Sequence, residues 1–168
     1  MAVFNKNTLT QISGFDNQII AGELVYNQNT YWNLTLGNNN SADCNGTVTP
    51  INLTGATIDA QIIRRTLTNV RDSRYGLTFD IADINPPPIP INLSVVNIIP
   101  ANGTFTLVMD QSTWNVIAGD PELDINDVNP VGFSGRIKIS FPASGSTPEN
   151  DMIIFLLFLI RSDAVVNN

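Results

Sequence analysis

The chain has 168 residues, with 15 Asp plus Glu against 8 Lys plus Arg, a net charge of −7, one cysteine and no histidine. Such a chain has no basic stripe to neutralise phosphates, which argues against a nucleic-acid partner, and it cannot form an intramolecular disulfide or a zinc site of the usual kind. Its length fits one domain, and its charged fraction of 14 % lies below the roughly 25 % of ordinary soluble domains.

Met1–Gln18 is polar, with Val3, Phe4, Leu9, Ile12 and Phe15 scattered through it. It reads as an N-terminal arm or edge strand, and the absence of clean alternation favours an arm that docks on a neighbouring subunit. Phe4, Leu9, Ile12 and Phe15 are its interface candidates. No basic stretch followed by an apolar core opens the chain, so no signal peptide is expected and synthesis in the cytoplasm follows. Residues 19–168 then read as a single β-sandwich domain.

Ile19–Tyr26 and Thr30–Leu36 are expected to form a hairpin across Asn27–Asn29, with Tyr26, Tyr31 and Trp32 stacking across strands. Gly37–Thr49 is a small, Asn-rich loop with Asn45-Gly46 as a tight turn. Cys44 within it has no neighbouring base or cation to activate a thiol. Pro50–Leu67 is the organising stretch. After Gly55 it alternates Ala56, Ile58, Ala60 and Ile62 with Thr57, Asp59 and Gln61, the period of a strand with one buried face. A turn over Thr68–Gly76 and a short strand at Leu77–Ile84 follow. Arg64, Arg65, Arg71 and Arg74 are the densest basic group and read as a solvated strand end and loop, salt-bridged to a partner, rather than as a phosphate site.

The prolines of Asn85–Pro90 make a stiff extended connector. Ile91–Ile99 and Thr104–Asp110 form the clearest hairpin, through Pro100–Gly103. Asp110–Ala118 has helical spacing, with Asp110 as N-cap and Trp114 plugging the end of the core. Asp120, Glu122, Asp124 and Asp127 are weak calcium candidates, because hard cations take oxygen ligands but the EF-hand spacing is missing. Phe133–Phe141 alternates Phe133, Ile137, Ile139 and Phe141 against Arg136, Lys138 and Ser140. Met152–Ile160 (MIIFLLFLI) is too short to span a bilayer as a helix. As a strand it is apolar on both faces, so a second covering layer is expected, from another subunit or the arm. Ile154, Leu156 and Phe158 complete the interface candidates.

Catalytic triads usually rely on histidine, which is absent. Ser-Lys or paired-carboxylate catalysis stays open, but the sequence places no such pair on converging strands. The chain has neither a Walker loop nor GxGxxG, so no enzyme, cofactor or membrane partner is expected. Asn-x-Ser/Thr triplets such as Asn33-Leu-Thr occur in any chain this rich in Asn and Thr.

The segments PINLTGATIDAQIIRR, NGTFTLVMDQSTW and FSGRIKISFP, followed by the apolar last strand, resemble an architecture of tailed-phage virion proteins, including the N-terminal domain of baseplate upper proteins. With the opening MAVFNKNTLTQISGFDNQIIAGELVYNQNTYWNLTL, the chain resembles virion structural proteins of tailed cyanophages. The resemblance implies an immunoglobulin-like or jelly-roll-like antiparallel β-sandwich with one short helix. It further implies a location in the virion, other virion proteins as partners, and a homo-oligomer in the tail, baseplate or fibre-attachment region. A capsid decoration protein is the nearest alternative. A carbohydrate-binding module, stacking sugars on Trp32, Tyr31 and Trp114, is the alternative from another class.

Overall fold

A computed structural model describes residues 18–39, 48–73, 76–85, 87–119, 131–144 and 148–161. Its hub is the organising stretch of the sequence. Strand β5 (Thr57–Ser73) is 17 residues long and pairs antiparallel with three others: β9 (Val131–Phe141) from Thr57 to Arg65, β7 (Ile91–Ile99) over Ala60–Ile62, and β6 (Gly76–Ala82) from Thr66 to Ser73. The expected alternation holds. Ala60 and Ile62 are buried, while Thr57, Asp59 and Gln61 are exposed. The expected turn at Thr68–Gly76 is instead strand as far as Ser73. No Gly or Pro interrupts the chain before Gly76, and β6 folds back to pair with it through an irregularity between Thr68 and Arg71.

β10 (Asn150–Arg161) lies antiparallel to β9, and β1 (Gln18–Val25) lies parallel to β10. On the other side of β5, β7 pairs with β8 (Thr104–Met109), and β8 pairs with β2 (Thr30–Thr35). The path is β1-β10-β9-β5-β7-β8-β2, with β6 attached to β5. The protein is all-β with one short helix, in a curled mixed sheet. Two expectations are corrected. The β1–β10 ladder is parallel, so the sheet is not antiparallel throughout. Nor do β1 and β2 form a hairpin; the turn through Asn27 (φ 65) carries the chain from one end of the path to the other. The cause is β10, whose inner side chains Leu156 and Ile160 align with Ile20 and Leu24 of β1. That pairing buries Ile20 and Leu24, apolar surface removed from water.

Curling brings the two ends of the path together. Trp32 of β2 stacks on Phe158 of β10, with ring centroids 5.1 Å apart and an interplanar angle of 7°. The core between them takes Phe105, Leu107 and Met109 from β8, Phe133, Ile137 and Ile139 from β9, and Ile154, Leu156 and Phe158 from β10. Two glycines permit close backbone approach. Gly103 (φ 63) follows the 3₁₀ turn Pro100–Asn102, and a Cβ there would stand 2.6 Å from the Ile51 carbonyl oxygen. On β9, a Cβ at Gly135 would collide with the Gln61 carbonyl oxygen of β5. The short strands β3 (Gly37–Asn39) and β4 (Val48–Pro50) pair with each other. Cys44 and the Asn45-Gly46 turn lie between them, outside the described residues.

Helix α1 (Gln111–Ala118) forms where its spacing predicted. Trp114 and Ile117 are buried, whereas Ala118, expected on the same side, is exposed. The Trp114 indole N–H donates to the Gln28 carbonyl at 2.9 Å, and its ring meets Tyr26 edge-on. Asp110 caps the helix, accepting from the Ser112 and Thr113 backbone N–H groups and the Ser112 hydroxyl. The Ser112 hydroxyl, followed by the Thr113 N–H, holds the Asp110 carboxyl below its ordinary value. Its charge therefore stabilises the fold above the unfolded carboxyl's pKa, and the benefit is lost as pH falls through the lower folded value. Asp110→Ala should cost about 1 kcal/mol near neutral pH, as N-caps typically do. Thermal melts of the two proteins should converge as the medium is acidified below the carboxylate range.

Candidate functional site

Because the strands pair in register, side chains of alternating parity line up across the sheet's outer face. One row runs Ile19, Phe155, Arg136, Gln61 from β1 through β10 and β9 to β5; the next runs Ala21, Leu157, Ser134, Ile63. These rows floor an open groove of ≈ 550 Å³ whose apolar lining comes from Ile19, Ile63, Ile81, Pro90, Phe155 and Leu157. Phe155 is 41 % exposed and Ile81 43 %. A contiguous apolar face of this kind is what protein neighbours cover.

The rim is cationic and polar. The Arg65 Nε donates to the Ser134 hydroxyl at 2.6 Å, and its guanidinium pairs with Asp83. Arg64, its neighbour, is also engaged. Arg136 is different: it lines the groove, yet no ion pair or hydrogen bond joins its side chain to another described residue. Beside it, where β7 leaves β5, a polar crevice of ≈ 570 Å³ holds Asp59, Gln61, Asn92 and Lys138. Gln61 donates to the Asn92 side chain there at 2.8 Å, and Lys138 pairs with Asp151 at 3.0 Å. The Ser140 hydroxyl and Lys138 hold the Asp151 carboxyl below its ordinary value. At the far end of the face Arg161 Nε stands 3.4 Å from Glu23, near enough for attraction but not aligned as a hydrogen bond.

The arrangement offers an apolar floor with a cation at its edge that has no partner among the described residues. It can seat apolar side chains and pair with one carboxylate. Among the described residues no group of three carboxylate or thiol side chains converges to hold a metal ion, and no helix is long and apolar enough to cross a membrane.

Of the interface candidates, Ile154, Leu156 and Phe158 lie inside the chain's own core. Their side chains are already out of water, so they have no area left to give a partner, and the surface that remains belongs to Phe155 and Leu157 on the opposite face. The two-sided burial expected for β10 is thus complete on one side only. Phe4, Leu9, Ile12 and Phe15 lie outside the described residues, as do Asp120, Glu122, Asp124 and Asp127. Trp32 and Trp114 are buried and Tyr31, 60 % exposed, stands without them. The three aromatics therefore do not form the open, coplanar platform a sugar would need. Phe155, Leu157, Ile63, Ile81 and Arg136 were missed as a group. The double-sided apolarity of MIIFLLFLI signalled that a second face existed, but the strands crossing it depend on long-range register.

No protein-family model matches this chain, and no curated protein matches it significantly.

Opposite substitutions on β10 test the one-sided core. Leu156→Asp buries an unpaired carboxylate at a site 1 % exposed, and should abolish cooperative folding. Phe155→Asp, on the outer face, should keep the circular dichroism spectrum and a cooperative melt. Equal damage from both would contradict this assignment of faces.

Proposed function

We propose that the chain is a non-enzymatic structural protein of a tailed-phage virion, assembling through subunit contacts in the tail, baseplate or fibre-attachment region. The observation that carries this reading is the outer apolar face of β1, β10, β9 and β5. A chain that serves as a building block needs a broad, weakly charged surface that loses water on contact, at roughly 25 cal/mol per Å² of apolar area removed. It needs no converging catalytic groups. The segments whose wording resembles virion proteins supply the frame of that face or its support: PINLTGATIDAQIIRR leads into and forms β5, NGTFTLVMDQSTW forms β8 and α1, and FSGRIKISFP forms β9. Edge strands add a second means of association. Among the described residues β1 and β2 each pair on one side only, and β2 carries neither charge nor proline to discourage a further strand.

An antiserum raised against the recombinant protein tests the reading on density-banded particles of the source phage. The protein should remain with the particles and, after heads and tails are separated, with the tails at a fixed copy ratio. Recovery with heads alone would replace the tail assignment by capsid decoration. Absence from intact particles would overturn the virion assignment itself.

A further inference from the structure

Resting on the reading of this chain as an assembling subunit, we propose that the groove over β10 is filled by residues 1–17 of a neighbouring copy, with Asp16 of that copy paired to Arg136. Four observations converge on this occupant. First, the described structure begins at Gln18, beside Ile154, and the next residue, Ile19, already lines the groove. The end of β10, by contrast, lies beyond the groove at Arg161, beside Val25. Second, direction favours a neighbour over the same chain. The groove extends forward from the Ile19 row toward the Ile63 and Arg65 rows, along the direction of β1. A chain entering β1 at Gln18 arrives from behind the first row. For Phe15 and Asp16 to cover Phe155 and Arg136 of their own subunit, the chain would have to turn back immediately before Gln18, a turn that a neighbouring copy does not require. Seventeen residues reach roughly 55 Å when extended, ample to cross an adjoining groove.

Third, composition matches. The segment MAVFNKNTLTQISGFDN offers Val3, Phe4, Leu9, Ile12 and Phe15 to an apolar floor, and only Lys6 and Asp16 are charged. Fourth, the charges complement. Arg136 is the groove cation without a partner among the described residues, and Asp16 is the segment's only carboxylate. Burying the groove under an apolar segment would strand that guanidinium unless a carboxylate came with it. Asp16 would then meet Arg136, and Phe15, next to it in sequence, would lie within a residue's reach of Phe155 in the same row.

Full-length chains in a Cys44→Ser background test this by disulfide trapping between two differently tagged copies. One copy carries Phe15→Cys and the other Phe155→Cys. Oxidation of the mixture should give a covalent pair joining the two tags. Replacing Phe155→Cys by Val116→Cys, on α1 and 57 % exposed, should abolish it. Adding Arg136→Asp should slow trapping by about tenfold or more, because it sets two carboxylates together in a covered groove, and Asp16→Arg in the other copy should restore it. Equal trapping at Val116, or trapping only within a single chain carrying both cysteines, would overturn the proposal. If light scattering shows an oligomer but no trapping occurs at Phe155, the occupant is wrong and the assembly reading stands. A protein that stays monomeric at every concentration removes both.

Discussion

The rest of the structure depends on how water is kept from strand β10. Its side chains are apolar on both sides of the backbone, and a strand of that kind in the middle of a sheet needs a partner layer above and another below. The inner layer comes from the curl of the sheet, which brings β2 and β8 over β10 and sets Trp32 on Phe158. The outer layer is incomplete: Leu159 is buried, but Phe155 stays 41 % exposed in a groove that Leu157, Ile63, Ile81 of β6 and Pro90 also line. This asymmetry links folding to function. The energy gained by covering the inner face holds the chain together, and on the proposed reading the open part of the outer face is what it offers a neighbour.

The same strand explains the chain's route. β10 needs strands at both edges as well as layers on both faces. β9, the strand before it in the chain, takes one edge, and β1 comes from the other end of the described chain to take the other in parallel. β5 makes this possible by holding β9 and β7 on its two edges in its first half and β6 in its second. Gly135 lets β9 press against β5 opposite Ile62.

Local chemistry made much of this legible in the residues themselves. The alternation after Gly55 gave β5 its inward face, Asp110 marked the start of α1, and Pro100–Gly103 joined β7 to β8. Each of these signals is carried within a few residues. The parallel β1–β10 ladder is not, because nothing near Ile19 announces a partner some 135 positions away; roughly that separation must be closed before the contact stabilises anything. Nor could the expected turn at Thr68 compete with β-branched residues that continue the strand. The outer groove was hidden for the same reason. MIIFLLFLI declared a second apolar face, but only register reveals that Ile19, Arg136 and Ile63 share it with Phe155.

The central claim is that the outer face of β10 joins subunits, and the mass of the protein in solution tests it most directly. Size exclusion with light scattering should show one discrete oligomer for the native chain and a folded monomer for Phe155→Asp. A native chain that remains monomeric at all concentrations, or a Phe155→Asp variant that keeps the native oligomer, would contradict the account.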